Sequence, residues 1–489
     1  MPSIFNKSRI SRDTIIYIPI FLAPALINIV LLMVFTRFFS PKDYGAYTIV
    51  VNTSIILSSL LGQWILLSVQ RFRPEYSKNS TIPEFNRNIN HLLLYISLGF
   101  LLVVSILFIF IPSFLKAYQN YFWPSVLLII SSIYYMVLGG VYQADLRAKP
   151  LRNLNVFHSL LKLVFILVLV REISFKPISF IWGAFFAQFL ITLPMLSYVE
   201  TTKMFNPFKN SRHSFMEFAI KFLKYGFPLI GWYIGTTIMN LTDRYMLEYY
   251  RTAYEVGIYS ANFTIAVQAI ALICNPMFFA IQPIIMNEIQ EISNKEHIER
   301  RISGFTHLFI IISIPFGVYF SIFCNEVSEL LLGIQFSKGA IIIPILIFGF
   351  FSWNIGLYGQ LTYQISKKTK ELFYFVVMAA ITNFSLNLFL IPKWGFVGAA
   401  ISTSIGFIIY SGLLYFFSLR FIKWKIPWNK LLTVFIVAII LAIPFLIIKI
   451  RLLIGVSPLI CLVTGLPYFL IYFGLVLFFW KNTLKLIIS

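Results

Sequence analysis

Long apolar runs alternate with short polar breaks along the whole chain. A membrane-spanning helix needs about 20 apolar residues to cross ~30 Å of hydrocarbon. Fourteen runs qualify, at roughly 14–36, 45–69, 89–111, 122–143, 154–170, 178–199, 225–245, 257–283, 304–324, 339–364, 371–391, 396–419, 431–448 and 458–480. They are continuous and lack period-two alternation, so they predict helices and exclude a strand barrel. Pro19, Pro24, Pro228, Pro276 and Pro344 fall inside runs and predict kinks that neighbouring helices accommodate. The first run follows Asn6, Lys7, Arg9 and Arg12 and continues well past Ala23-Pro24-Ala25. It is too long for a secretory signal and reads as the first span.

Composition agrees with this pattern. Of 489 residues, 59% are hydrophobic and only 12% charged, against about a quarter charged in soluble domains. A cytosolic enzyme, a disulfide scaffold and a disordered regulator are excluded. The net charge of +21 would suggest nucleic acid on a solvated fold. Here the basic residues sit in the breaks between spans, so no nucleic-acid partner is expected. With both termini cytoplasmic, 27 of the 39 Lys and Arg residues lie inside, 11 outside, and Lys162 within a span. That asymmetry follows the positive-inside rule. Cys274, Cys324 and Cys461 are far apart and show no metal-ligand spacing. No phosphate-binding glycine loop is present, and no resident cofactor or metal is expected.

The chain also repeats itself. Asp43-Tyr44-Gly45-Ala46-Tyr47 precedes span 2 and Glu255-Val256-Gly257-Ile258-Tyr259 precedes span 8, at an offset of 212. Tyr142-Gln143 with Arg147 answers Tyr363-Gln364 with Lys368 at offset 221, and Gly183-Ala184 answers Gly398-Ala399 at offset 215. Spans 1–6 and 7–12 therefore read as two copies of one unit. An even span number makes the copies parallel, with a pseudo-two-fold along the membrane normal. The expected fold is an all-α integral membrane protein of about fourteen transmembrane helices, with two six-helix lobes (1–222 and 223–425) and two C-terminal helices (426–489).

Polar side chains are costly in lipid and turn toward protein or water. Span 2 carries Asn52, Ser59, Gln63 and Gln70, and span 8 carries Gln268, Asn275 and Gln282, each set on one helix face. Gln63 matches Asn275 and Gln70 matches Gln282 at offset 212. Span 7 adds Tyr233, Thr236, Asn240 and Asp243. These stripes predict a polar cavity between the halves, lined by spans 1, 2, 7 and 8, although the same amides would also serve interhelical bonding. Asn155, His158, Ser159 and Lys162 stripe span 5. Lys162 lies about 12 Å into that span, where it either snorkels to the surface or faces an anionic substrate. Asp243 and Arg244 form either a structural charge pair or a proton- or sodium-coupling site.

Two segments carry a family resemblance. Asp243-Arg244-Tyr245-Met246-Leu247 through Glu255-Val256-Gly257-Ile258-Tyr259-Ser260-Ala261 is the first. Asn387-Leu388-Phe389-Leu390-Ile391-Pro392-Lys393-Trp394-Gly395-Phe396-Val397-Gly398-Ala399-Ala400 is the second. Both resemble the polysaccharide flippases, the translocases of O-antigen, capsule and exopolysaccharide units. These belong to a superfamily that includes multidrug extruders and the lipid II flippase. The resemblance implies a transporter and not an enzyme, working by alternating access in the bacterial cytoplasmic membrane. It implies a substrate of undecaprenyl-pyrophosphate carrying a short oligosaccharide, and partners such as a polysaccharide polymerase and a chain-length regulator. Pyrophosphate needs Arg or Lys, and Arg37, Arg71, Arg73, Arg147 and Lys162 are the candidates. The polyprenyl tail would run along a groove made by spans 13 and 14. The competing expectations are a cation-coupled drug or metabolite extruder on the same fold and a membrane enzyme. The latter is disfavoured by short outer loops, the longest near 325–338.

Overall fold

A computed structural model describes residues 7–109, 118–173, 176–199, 212–291, 295–426, 428–452 and 455–488. The described residues are helical throughout, with no strand among them. The helices are α1 (Lys7–Phe38), α2 (Pro41–Lys78), α3 (Ile82–Ile109), α4 (Phe122–Ala144), α5 (Ala148–Val168), α6 (Ile178–Tyr198), α7 (Arg212–Tyr250) and α8 (Ala253–Glu291). They continue with α9 (Lys295–Ile322), α10 (Cys324–Leu332), α11 (Ile342–Ile365), α12 (Thr369–Ser418), α13 (Trp428–Leu452), α14 (Pro458–Gly465) and α15 (Pro467–Ile488).

Eleven segments among the described residues are long and apolar enough to cross a membrane. One of them, α12, is a hairpin. Phe375 stacks on Phe417 with ring centroids 5.3 Å apart, and Asn383 Nδ2 lies 3.4 Å from Thr403 Oγ1. The reversal is concentrated at Gly395, where φ is +55°. That left-handed conformation suits a residue without Cβ. Counting α12 as two passes, and adding the 32-residue α1 and the 39-residue α7, gives the fourteen expected passes. The chain is a multi-pass membrane protein.

Two compact units emerge. The first comprises Met1–Leu31 and Ala46–Thr237, and the second Leu32–Gly45 and Ile238–Ser489. In the first, Ile65, Val69 and Phe72 of α2, Phe85, Ile89 and Leu93 of α3, and Ile133, Val137 and Val141 of α4 pack with Phe222 of α7. Their spacing of three and four puts each set on one helix face. In the second unit, α13 buries only the stripe Val434, Ala438 and Ala442. Small residues there admit close helix contact, while the larger aliphatic side chains stay on the outside, as lipid requires.

The repeat is visible in the local geometry of both units. Ser40 and Thr252 start α2 and α8 as paired N-caps. Asp43 N–H donates to Ser40 Oγ at 3.3 Å and Glu255 N–H to Thr252 Oγ1 at 3.3 Å. Asp43 closes a capping box by accepting the Ser40 N–H at 3.2 Å, whereas the Glu255 carboxylate accepts from Arg251 and the Phe396 N–H. The α4–α5 and α11–α12 turns also match. Arg147 N–H donates to Tyr142 O and Lys368 N–H to Tyr363 O, each at 2.9 Å. Leu146 and Lys367 take φ of +55° and +56°. Gln70 Nε2 donates to Gln143 Oε1 at 2.5 Å, and Gln282 Nε2 to Gln364 Oε1 at 3.4 Å. The same pair of helix ends is bridged by two glutamines in each unit.

The acidic-x-Gly-x-Tyr glycines meet inside the second unit. A Cβ on Gly45 would run into the carbonyl of Ala253, and a Cβ on Gly257 into the carbonyl of Pro41. Each Cβ would also lie 3.0 Å from the other glycine's amide nitrogen. The contact is reciprocal, because Pro41 and Ala253 are themselves separated by 212 positions.

Candidate functional site

In the first unit, a pocket of about 200 Å³ opens among α2, α4, α5 and α6. Lys162 and His158 line it from α5, Ser54 and Ser58 from α2, Ser132 from α4 and Gln188 from α6. The i,i+4 spacing of His158 and Lys162 brings both to one helix face. Lys162 Nζ donates to Asn28 Oδ1 at 3.3 Å, a neutral partner. Gln188 Oε1 accepts Ser132 Oγ at 3.0 Å, and the His158 ring lies 4.8 Å from that of Tyr135. Tyr135 in turn donates to Asn155 Oδ1 at 2.6 Å. Among the described residues no carboxylate lines this pocket. It offers one cation amid hydroxyls and an amide, a set suited to an anionic group with polar neighbours.

The other cations of the sequence reading have different surroundings. Arg37 donates to Leu330 O at 2.7 Å in the second unit. Arg71 pairs with Glu75 at 3.2 Å on an exposed surface. Arg147 lies 4.6 Å from the Tyr198 ring centroid, a cation–π distance. Arg73 is only 3% exposed. It makes a two-pronged bond to Asp145, Nε to Oδ1 at 2.7 Å and Nη2 to Oδ2 at 2.8 Å. Its Nη1 donates to Asn86 Oδ1 at 2.8 Å.

Asp145 lies just beyond the α4 span. Burial pushes its carboxyl up. Hydrogen bonds from Arg73 and Tyr198, with the charges of Arg73 and Arg147, outweigh this and hold it below the usual carboxylate value. A depressed carboxyl contributes stability that is present above its unfolded value and lost as pH falls through its folded value. The melting midpoint of detergent-solubilised protein is therefore expected to drop from about pH 4 downward. The Asp145→Asn variant should show a weaker acid dependence in the same melts.

The polar stripes fall in separate units. In the first, Asn52 and Gln63 are buried. The Asn52 amide nitrogen has no hydrogen-bond partner among the described residues, Gln63 bonds the Tyr233 hydroxyl, and Gln70 is taken up by Gln143. In the second, Gln268 and Asn275 are half-buried and Gln282 meets Gln364.

The second unit also holds a buried polar network. Asp243 is the only buried acidic residue among the described residues. It accepts hydrogen bonds from the Tyr259 hydroxyl, from Thr403 Oγ1 at 3.2 Å and from the Arg244 backbone N–H at 2.9 Å. Arg244 Nη1 reaches the same carboxylate at 3.0 Å and also donates to Asn240 O. Its guanidinium lies 4.3 Å from the Phe263 ring centroid. Asn383 and Asn387, four residues apart on α12, continue the network from Thr403 at 3.4 and 3.2 Å. The Asn387 side-chain oxygen is buried without a partner among the described residues. Asn383, Asn387, Thr403 and Gln188 were not among the sequence candidates. The i,i+4 amides of span 11 were a readable signal, whereas Gln188 is a lone amide whose neighbours lie on another helix.

An apolar groove of about 510 Å³ also lies in the second unit. Its walls are α9, α11 and α13, with Ile270 of α8. Among the described residues none of α14 or α15 lines it; α13 faces α9 and α11 across it.

Structural comparison agrees with this architecture. The lipid II flippase MurJ in an inward closed conformation matches with a TM-score of 0.73 at 15% identity, over 95% of this chain and 98% of that one. An inward-facing multidrug resistance MATE family transporter of the MOP superfamily matches with a TM-score of 0.61 at 15% identity, over 82% and 94%. An uncharacterized membrane protein of Methanocaldococcus jannaschii is 25% identical over 359 residues. That match covers 71% of this chain and 66% of the relative, slightly under two thirds of its length. Residues 10–288 match the polysaccharide biosynthesis protein family, and the chain, with the fold of MOP-superfamily transporters, belongs to that family.

Proposed function

We propose that the protein is a flippase for undecaprenyl-pyrophosphate-linked oligosaccharide units, moving them from the inner to the outer leaflet of the bacterial cytoplasmic membrane by alternating access. Both termini are cytoplasmic in this reading. The observation that carries it is the Lys162 pocket. A cation bonded, among the described residues, to a neutral amide and ringed by hydroxyls suits a phosphate with attached sugar. In this reading Asn52, Gln63 and Gln70 are the amide partners for sugar in the first unit, and Asn240, Gln268, Asn275 and Gln282 those in the second. The apolar groove walled by α9, α11 and α13 suits the polyprenyl tail. A polymerase and a chain-length regulator are the partners that would consume the exported unit.

A specific observation favours ion coupling. The buried carboxylate of Asp243, with Tyr259 and Thr403 on it, is placed to exchange a proton or sodium ion with Arg244 as its resident counter-charge. On a cation-coupled extruder the same acid would drive export of a small molecule.

The test is translocation of a fluorescent undecaprenyl-pyrophosphate oligosaccharide in liposomes, with and without proton or sodium gradients. Wild-type protein should expose the label, and a gradient should accelerate it. Lys162→Met should slow translocation by roughly 10–100-fold, the effect of losing one charge-assisted hydrogen bond of ~1.5–3 kcal/mol. Asp243→Asn should abolish the gradient dependence. Ion-driven movement of a small cation, with no lipid-linked sugar moved, would favour the extruder.

A further inference from the structure

We infer that the second unit carries a binding site for the phosphate headgroup of an anionic phospholipid, built from Lys368 and Arg420. This goes beyond the transport reading and does not depend on it. The site is a pocket of about 190 Å³ where the α11–α12 turn meets the end of α12. Lys368 Nζ lies 4.5 Å from the Phe421 ring centroid, and Arg420 Cζ 4.6 Å from that of Phe417. Phe417 stacks on Phe375, so an aromatic floor holds both cations at the pocket wall. Glu371 is the one acid lining it, 3.9 Å from Lys368. Among the described residues Arg420 pairs with no carboxylate.

The repeat supplies an internal control. The α4–α5 turn of the first unit has the same hydrogen bonds and the same cation over an aromatic ring, Arg147 over Tyr198. There Asp145 sits in the turn and Arg73 is its partner, so the charges are balanced internally. At the equivalent positions the second unit has Ser366 and Ile285. The acid has gone, Arg420 has been added, and Lys367, Lys370, Lys423 and Lys425 flank the pocket in sequence. A net positive pocket at the end of a membrane helix pair is suited to a lipid phosphate.

The surface beside the pocket selects a lipid over a free anion. Tyr374, which lines the pocket, is 62% exposed and heads an apolar stripe that continues through Met378, Ile381 and Leu388. Spacings of four, three and seven keep these on one helix face. Acyl chains can lie along that stripe while the phosphate sits between the two cations. The single excess charge favours a net-anionic headgroup over a zwitterionic one.

Native mass spectrometry of the full chain in detergent tests this, with short-chain phosphatidylglycerol, phosphatidylcholine and inorganic phosphate as three separate probes. Wild-type protein should retain phosphatidylglycerol in preference to phosphatidylcholine. Lys368→Gln and Arg420→Gln should each weaken phosphatidylglycerol binding about fivefold, whereas Arg300→Gln, which removes an exposed cation elsewhere, should not. Glu371→Gln should strengthen it, and this variant keeps the test decisive if the cation variants fold poorly. Equal retention of the two lipids, or indifference to all three pocket substitutions, would overturn the site. Binding of inorganic phosphate without any lipid preference would overturn the lipid assignment.

Discussion

Replacing Arg73 with alanine is expected to cost about 3–5 kcal/mol of stability, the range for removing one partner of a buried ion pair. The guanidinium is almost fully enclosed and fills both oxygens of Asp145 as well as Asn86. Taking it away leaves a partly buried carboxylate with, among the described residues, only the Tyr198 hydroxyl still donating to it at 2.7 Å and the charge of Arg147 nearby. Asp145→Asn should cost less, because an amide oxygen still accepts one prong. A double variant, Arg73→Met with Asp145→Leu, should recover much of the loss, since neither charge then needs a partner. Thermal melts of the wild type, Arg73→Met, Asp145→Leu and the double variant in one detergent give the coupling energy as a double-mutant cycle. Additive effects of the two single changes would show that the pair contributes nothing as a pair. A large coupling would mean that Arg73 is committed to holding α2 on the α4–α5 turn and is not free to meet a phosphate.

The second large effect is expected at the two reciprocal glycines. Gly45→Ala and Gly257→Ala each place a methyl group against a backbone carbonyl, of Ala253 or Pro41. A carbonyl on a helix start cannot rotate away as a flexible side chain can, so the helices must separate. Overpacking typically costs ~1–3 kcal/mol, and contacts with rigid backbone belong at the upper end. Because the geometry is mirrored, the two substitutions should behave alike. Thermal melts of the two variants beside the wild type in one detergent report that cost. Similar, large drops in the melting midpoint for both variants would support the contact. A Gly45→Ala protein with unchanged melting and transport would show that it is dispensable.

Much of this architecture was readable from the chain because lipid imposes strict rules. Continuous apolar runs gave the passes, and the Pro392–Gly395 stretch marked the α12 reversal even though the backbone leaves the helix chiefly at Gly395. The repeat was readable because capping and close approach each require particular residue types, so Asp43 and Glu255, and Gly45 and Gly257, stayed recognisable. The stretch near 325–338 read as an outer loop, yet α10 and a 3-10 turn over Ile334–Ile341 fold it into the second unit. The site was readable only along single helices. His158 and Lys162 share a face by spacing alone, but Ser132 and Gln188 reach them from other helices. Arg73 looked like an available cation because Asp145 lies 72 positions away. The groove of α9, α11 and α13 was not legible for a similar reason, since hydropathy does not say which span α13 faces.

The α12 reversal has a practical consequence. Trp394, Gly395 and Phe396 connect two helices with no spacer, and Glu255 Oε2 accepts the Phe396 N–H at 3.2 Å. Glu255 is itself held by Arg251 at 3.0 Å. A corner so closely bound presents no slack backbone to a protease and no room for an inserted epitope. Mapping which face of the membrane it occupies calls for a label the size of a single side chain, at an exposed position such as Trp394.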